Sequence, residues 1–406
     1  MKSIRELYKI GKGPSSSHTI GPERAARQFL EQHPQADRFT VSLFGSLSKT
    51  GKGHGTDRVL KEVLGADRTE IMFRRDMPEH VTHPNTMEFQ AWQKDEVTDT
   101  KWVESVGGGA IRVVGEKAER DTEEVYPENS FAEVEQQCIL WNSNLAEYVE
   151  FNEGEDIWDF LSDIWDAMVH SIKEGLEAEG ILPGGLHIVR KAKKLYENTS
   201  EQGSPQMEEV RLVSAYAYAV CEQNADCGTI VTAPTCGACG ILPAVLYYMQ
   251  EQRGMERRRI LEALAVAGLL GNLVKENASI SGAECGCQAE VGTACSMAAA
   301  AMAYLVKLST HQIQYAAEIA LEHHLGLTCD PICGLVQVPC IERNAVAAMR
   351  AINSCQLAYF LYDTQRISFD LAVKTMYETG ISMNQRYRET SEGGLAKMFE
   401  RRKKQL

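Results

Sequence analysis

From Glu155 onward the chain is written in helical period, and this limits its fold more than any other feature. Ile157, Leu161, Ile164, Met168 and Ile172 follow at spacings of four, three, four and four, the apolar stripe of an amphipathic helix. Segments 260–275, 294–308, 313–323 and 342–361 are alanine-rich, keep that period and are separated by short glycine loops. Segment 191–207, with Asn198, Thr199, Ser200, Gly203, Ser204 and Pro205, reads as a loop among them. The first 150 residues differ. Phe39, Val41 and Leu43 alternate within a strand over 38–47, and Ala26, Phe29 and Leu30 mark a helix over 23–33. A second helix spans 56–64, with Thr56 and Asp57 as capping candidates. Residues 101–114 form two strand pieces around Gly107, Gly108 and Gly109. At 406 residues the chain exceeds what one core serves. The expectation is an α+β two-domain protein, with a mixed α/β domain over 1–150 and an all-α domain over 155–406.

A formal net charge of −14 argues against nucleic acid as a partner, because phosphates need a basic face. The basic run at 401–404 reads as a solvated tail. The start of the chain lacks the apolar core of a secretion signal, and the most apolar stretch, 260–274, is short and interrupted by Glu262 and Asn272. The expectation is a cytoplasmic protein without a membrane partner. In a reducing compartment the twelve cysteines are not a disulfide framework. Only Cys138 precedes residue 200, and the other eleven crowd between Cys221 and Cys355.

Three glycine-rich loops carry thiols: TAPTCGACG at 232–240, ASISGAECGCQAEVG at 278–292 and LGLTCDPICGLVQVPC at 325–340. Cys236, Cys239, Cys285, Cys287, Cys329, Cys333 and Cys340 are all candidates by spacing. Zinc would want a closed set of four ligands, and an iron–sulfur cluster also takes thiolates. Spacing leaves both open, and buried structural cysteines as well. Pro331 and Pro339 stiffen the last loop.

In the first domain, GPSSSHTIGP at 13–22 precedes a helix. Ser15, Ser16, Ser17, His18 and Thr19 offer donors at a helix start, where a small carboxylate fits; simple capping would need only one hydroxyl. GSLSKTGKGHGTD at 45–57 resembles a phosphate loop but fails as one, since Gly45 and Gly51 are separated by five residues and Gly53 follows Lys52. It reads as a flexible loop presenting Lys52 and His54, and His54 becomes a general base only if positioned. Gly107, Gly108 and Gly109 alone do not make a pyridoxal phosphate site, for no companion lysine motif is present, and that cofactor is not expected.

With VQVPCIERNA and MYETGISMNQRYRETSEGGLA added, these motifs run in one order from about residue 8 to residue 396. Together they resemble the single-chain iron–sulfur L-serine dehydratases of bacteria. The resemblance implies a lyase converting L-serine to pyruvate and ammonia. It implies a [4Fe–4S] cluster held by Cys287, Cys329 and Cys340, whose fourth iron stays open as a Lewis acid. It points to His54, then His18, as the base that removes the α-proton. Ser15, Ser16, Ser17, Thr19, Lys52, Gly107, Gly108, Gly109, Asn277 and Ser279 become candidates for holding substrate. The first domain is similar in kind to an allosteric substrate-binding domain of some 3-phosphoglycerate dehydrogenases, so a regulatory role for the SSSHT turn competes with a catalytic one. A homodimer is expected. Two features depart from the family: no cysteine follows Cys355 to cap the open iron, and His324 stands where asparagine is common. Rival readings are a lyase acting on L-cysteine or L-threonine, and a metal-stabilised binding protein without turnover.

Overall fold

The computed structural model describes residues 1–79, 81–115, 124–199, 203–361 and 363–403. The chain starts inside its helical half. Met1, Ile4, Leu7 and Tyr8 are buried in the helical core, and the Tyr8 hydroxyl donates to the Leu264 carbonyl at 2.9 Å. Strand β1 (Ile10–Lys12) pairs antiparallel with a distant three-residue strand at Thr229–Val231. The chain then crosses into the sheet domain through a π-helical turn, Ser16–Ile20.

That domain comprises α1 (Gly21–Gln32), β2 (Arg38–Leu43), α2 (Gly45–Thr50), α3 (Thr56–Leu64), β3 (Thr69–Phe73), β4 (Thr86–Gln93), β5 (Glu96–Gly107) and β6 (Ala110–Val113). The sheet order is β3-β2-β4-β5-β6; β2 and β3 run parallel and the remaining pairs antiparallel. Alternation places Phe39, Val41 and Leu43 with Met87, Phe89 and Ala91 on one buried face, as a two-residue period requires. Ala26, Phe29, Leu60 and Leu64 of the two longer helices cover it. The expected strand over 38–47 stops at Leu43. Gly45 takes a left-handed φ of +56°, Ser46 N donates to the Pro84 carbonyl at 2.7 Å, and the chain turns into α2. Segment 45–57, expected as a flexible loop, is thus a short helix and a compact turn. Thr56 does not cap α3: Gly55 is the capping residue, and the Thr56 hydroxyl donates to the His18 carbonyl.

The helical half contains α4 (Phe131–Trp141), α5 (Leu145–Glu153), α6 (Ile157–Glu177), α7 (Ala192–Glu197), α8 (Pro205–Ala225), β7 (Thr229–Val231), α9 (Ile241–Arg253), α10 (Arg257–Asn277), α11 (Gly282–Cys285), α12 (Thr293–Leu305), α13 (Thr310–Glu322), α14 (Cys340–Phe360), α15 (Phe369–Ser382) and α16 (Gly394–Lys403). It is helical as expected, except for β7. The segment read as a loop over 191–207 holds α7 and the start of α8, and Ser200 lies outside the described residues. Residues 401–403 of the basic tail are exposed, and Lys404 lies outside the described residues. Alanine and glycine explain the packing: Ala298, Ala299, Ala300 and Ala301 of α12 are fully buried, and Gly271 of α10 abuts the Met297 side chain. Among the described residues no helix is long and apolar enough to cross a membrane.

The cores part elsewhere than at 150–155. Tyr126, Phe131, Val134, Leu145 and Tyr148 belong to the helical core, while the sheet core closes with Val103 and Val113. Residues 1–8 lie on the helical side too, tied back by the Val125 and Tyr126 N–H groups donating to the Met1 carbonyl. A hydrophobic pattern cannot say which core a helix joins, and α4 and α5 fit either.

Helices α6 and α8 pack closely at Gly175, where an added Cβ would lie 2.3 Å from the Ala219 carbonyl oxygen. Gly175→Ala should therefore cost about 1–3 kcal/mol, despite alanine's better helix propensity. Urea unfolding of the variant against the wild type measures this.

Candidate active site

Two π-helical turns supply the centre, a conformation that recurs where a side chain must be aimed out of helical register. The first, Ser16–Ile20, carries His18; the second, Gln288–Gly292, follows Cys287 and carries Glu290. The Ser15 hydroxyl caps the first turn by accepting from His18 N at 3.1 Å. The Thr19 hydroxyl donates to the His54 carbonyl at 2.9 Å, which fixes the neighbouring turn.

His18 is fully buried. Its Nε2 lies 3.1 Å from Ser46 Oγ and 3.0 Å from Thr50 Oγ1. Ser46 donates to the Glu389 carbonyl and Thr50 to the Ser46 carbonyl, so both hydroxyls accept from the ring. This assigns the Nε2–H tautomer and leaves the Nδ1 lone pair facing Ser17 Oγ at 2.9 Å and Glu389 Oε1 at 3.6 Å. The His54 ring sits 4.6 Å from His18, edge to face, fully buried, and neither ring nitrogen has a protein partner. Burial lowers the His54 pKa to about 4; burial and then His54 hold His18 well below the usual imidazole range. Both are neutral at pH 7. His18, His54 and Glu389 place ligand atoms within 4.8 Å of one another.

Glu389 joins this pair to the thiols. Its backbone N donates to the Cys329 carbonyl at 2.8 Å, and Cys329 N donates to the Tyr387 carbonyl at 2.8 Å. Cys287 lies between α11 and the second π-turn, and Cys340 opens α14. The Cys329 thiol donates to Cys287; this contact, helped by Arg343, lowers the Cys287 pKa and raises that of Cys329. Burial, and then Cys287, pushes the Cys340 thiol up. Arg343 interacts with all three sulfurs, donates to the Thr328 carbonyl at 2.6 Å and pairs with Asp330 at 3.1 Å. Glu290 accepts from Thr235 Oγ1 at 2.7 Å and lies 4.0 Å from Cys329 Sγ, and burial raises its pKa to about 7. Burial, then Glu290 and Cys287, raises Glu389 well above the usual carboxyl range. Three thiols from two loops, 278–292 and 325–340, around one guanidinium fit a group that binds through three thiolates, since the cation offsets the charge left when protons depart.

The remaining candidate thiols are placed differently. Cys285 packs against Gly380, whose added Cβ would lie 2.6 Å from its sulfur. Cys239 hydrogen-bonds Cys221, Cys236 is buried near Glu290, and Cys333 is exposed. Lys52 is exposed. Asn277 is exposed too; its amide donates to the Asn129 and Leu273 carbonyls, tying the end of α10. Ser279 donates to Glu284. Gly107, Gly108 and Gly109 form the β5–β6 turn, all at positive φ, and press against Ile280, Ser281 and Ile20. His324 donates through Nδ1 to the Ala320 carbonyl at 2.7 Å, and its Cβ faces Gly292. Sequence reasoning passed over Glu290, Arg343, Glu389, Ser46 and Thr50. Each lies inside a quoted motif, and residue type alone did not separate it from its neighbours. A cavity of about 460 Å³ lined by Ser46, Lys49, Arg75, Glu284, Arg388 and Thr390 opens between the domains and reaches His18's partner Ser46.

A buried imidazole pair on a sheet domain, facing clustered thiols and carboxyls on a helical body, defines a two-part protein with an enzyme-like centre. The family models described as serine dehydratase beta chain and serine dehydratase alpha chain match residues 3–67 and 69–396. The chain belongs to the serine dehydratase family. It is 40% identical over 448 residues to L-serine dehydratase 2 of Escherichia coli (strain K12), covering 98% of each chain. It is 40% identical to L-serine dehydratase of Haemophilus influenzae, over 98% of this chain and 99% of that one. L-serine dehydratase of Helicobacter pylori is 37% identical, over 97% of this chain and 98% of that one.

The pH dependence of folding follows from His54. Between its ordinary 6.5 and about 4, the unfolded chain holds a proton that the native ring refuses. Stability supplied by the neutral ring is therefore lost as pH falls through that window, by at most about 3 kcal/mol. Glu290, raised to about 7, acts in the opposite sense from 7 down to 4.5, so the difference between variants is the informative quantity. Urea unfolding of metal-free wild type and His54→Gln at pH 7 and pH 5 should show the variant gaining relative stability at pH 5.

Proposed function

We propose that this chain removes water and ammonia from L-serine to give pyruvate, using a [4Fe–4S] cluster held by Cys287, Cys329 and Cys340. One juxtaposition supports this above all others. His18 of the neutral imidazole pair lies 3.6 Å from Glu389, His54 and Glu389 come within 4.8 Å, and the Glu389 backbone grips Cys329, so a base and the thiols face one small space. The family membership and the names of the full-length relatives support the same substrate.

When bound, the cluster supplies an iron with an open position, a Lewis acid for the substrate hydroxyl. The chain's own groups do the rest. His54 is neutral at pH 7 and has no protein partner at either ring nitrogen, so it is free to take the α-proton. His18 is committed through Nε2 to Ser46 and Thr50 and serves to orient His54. Ser15 and Thr19 hold the His18 and His54 backbones, and Ser17 holds the His18 ring. They act as supports for the imidazoles. Glu290, with its pKa raised to about 7, is partly protonated at neutral pH beside Cys329 and can donate a proton to departing hydroxide. Breaking the α-C–H and β-C–O bonds gives aminoacrylate, which tautomerises to the imine and hydrolyses to pyruvate and ammonia. Burial excludes water until that product forms.

An anaerobic assay of iron- and sulfide-reconstituted protein on L-serine, L-threonine and L-cysteine tests the reaction. Pyruvate from L-serine should dominate; faster sulfide release from L-cysteine would overturn the substrate assignment. His54→Ala should keep its iron content and lose about 10²–10⁴ in kcat. Near-normal turnover with intact iron would remove His54 from the mechanism. Cys287→Ser, Cys329→Ser and Cys340→Ser should each lose the iron–sulfur absorbance, whereas Cys285→Ser and Cys333→Ser should retain it.

A further inference from the structure

We infer that Asn85, Ser105 and Ser281 form the pocket that recognises the polar ends of the amino-acid substrate. The inference rests on the dehydratase reading and names residues that reading does not use. Asn85 and Ser105 are fully buried and Ser281 is nearly so, yet Asn85 Oδ1 and Nδ2, Ser105 Oγ and Ser281 Oγ have no hydrogen-bond partner. Buried polar groups are almost always paired, so a group of unpaired ones in one place requires an explanation. Ser171 and Thr293 are also unpaired, but each stands alone on a helix.

The three residues converge. Thr86 pairs with Glu104, and Ser105 N donates to the Asn85 carbonyl at 2.9 Å, so Asn85 and Ser105 lie opposite one another. Opposed residues of an antiparallel pair leave the sheet on the same face. Two residues further along β5, a Cβ on Gly107 would lie 3.5 Å from Ser281 Cβ, so Ser281 fronts this strand end. Gly282 comes next, and a Cβ there would lie 3.2 Å from Cys329 Sγ. Pro84, just before Asn85, accepts from Ser46 N, and Ser46 holds His18. A Cβ on Gly21, directly after the turn that carries His18, would lie 2.2 Å from Ser105 Oγ, so the neighbours of the unpaired group reach the imidazole turn on one side and the thiol loop on the other.

Its chemistry suits a zwitterion. None of the three side chains is charged, matching an amino acid of zero net charge. The Asn85 amide offers a donor to a carboxylate and an acceptor to an ammonium, and each hydroxyl serves either. Nearby hydroxyls are already committed: Ser17 to His18, Thr19 to His54, Ser46 to Glu389 and Ser279 to Glu284.

Ser105→Ala, Ser281→Ala and Asn85→Leu separate this pocket from a structural role. Removing a polar group that waits for a ligand leaves the free protein as stable or more so, while binding suffers. In reconstituted enzyme, the expected result is an unfolding midpoint unchanged or raised, with KM for L-serine up about tenfold or more and kcat within about threefold. A KM within about threefold of wild type in all three variants overturns the inference, whatever the midpoint does. If KM rises and the midpoint falls together, Ser281→Thr decides: restored KM supports the pocket and unrestored KM overturns it. Wild type inert towards L-serine would sink the dehydratase reading instead. The pocket is then judged by L-serine thermal shift, where a rise in wild type that Ser281→Ala lacks supports it. An equal shift in both, or none in either, overturns it.

Discussion

The site depends on a backbone clip. Cys329 donates to the Tyr387 carbonyl and accepts from Glu389 N, so the thiol loop and the stretch near the C-terminal end are locked as one unit. Glu389 sits at φ +56°, a left-handed conformation that a glutamate adopts only when surrounding bonds impose it. That turn directs its carbonyl to Ser46 and its carboxyl to His18. Glu389 thus ties the sheet domain to the helical body at the site itself, and the imidazoles are placed relative to the thiols by hydrogen bonds rather than by loose docking. Lys49 pairing with Glu392 adds an exposed contact across the same seam, of the kind that contributes little.

The dryness of this seam controls its charge. Desolvation holds both imidazoles neutral and raises Glu290 to about 7 and Glu389 well above the usual carboxyl range. Arg343 is the cation that faces the sulfurs, and its pairing with Asp330 holds it there. Asp330 also accepts from Leu395 N at 2.7 Å, so the guanidinium, the Cys329 loop and the start of α16 are fastened to one carboxylate. A group that binds by displacing thiol protons would find the compensating charge already in place. A neutral base beside it remains usable at neutral pH because it does not compete for those protons.

The course of the chain serves the same end. By starting in the helical core and pairing β1 with β7, the polypeptide anchors both ends of the sheet domain to the helical body. The SSSHT turn follows β1 directly, so His18 emerges from a fixed point. An insertion held at one end alone would leave the imidazoles free to swing away from the sulfurs.

Much of this was legible in the sequence. The helical period from Ile157, the strand at Phe39, Val41 and Leu43, and the thiol-bearing loops are local patterns, and local patterns survive into structure. The family resemblance rested on motifs, which are local as well. What sequence could not give was burial and juxtaposition. His54 reads as a solvated loop residue until α2 folds the loop inward; Lys52, two residues away, stays outside. Asn277 and Ser279 belong to a motif of the site, yet one ties a helix end and the other serves Glu284. The pairing of β1 with β7, the meeting of Glu389 with His18, and the unpaired Asn85 opposite Ser105 all join residues far apart in the chain or depend on what surrounds them. Periodicity reports which face of an element is apolar. Only the packed tertiary structure decides what that face meets, which polar groups lose water, and therefore which of many similar side chains become chemistry.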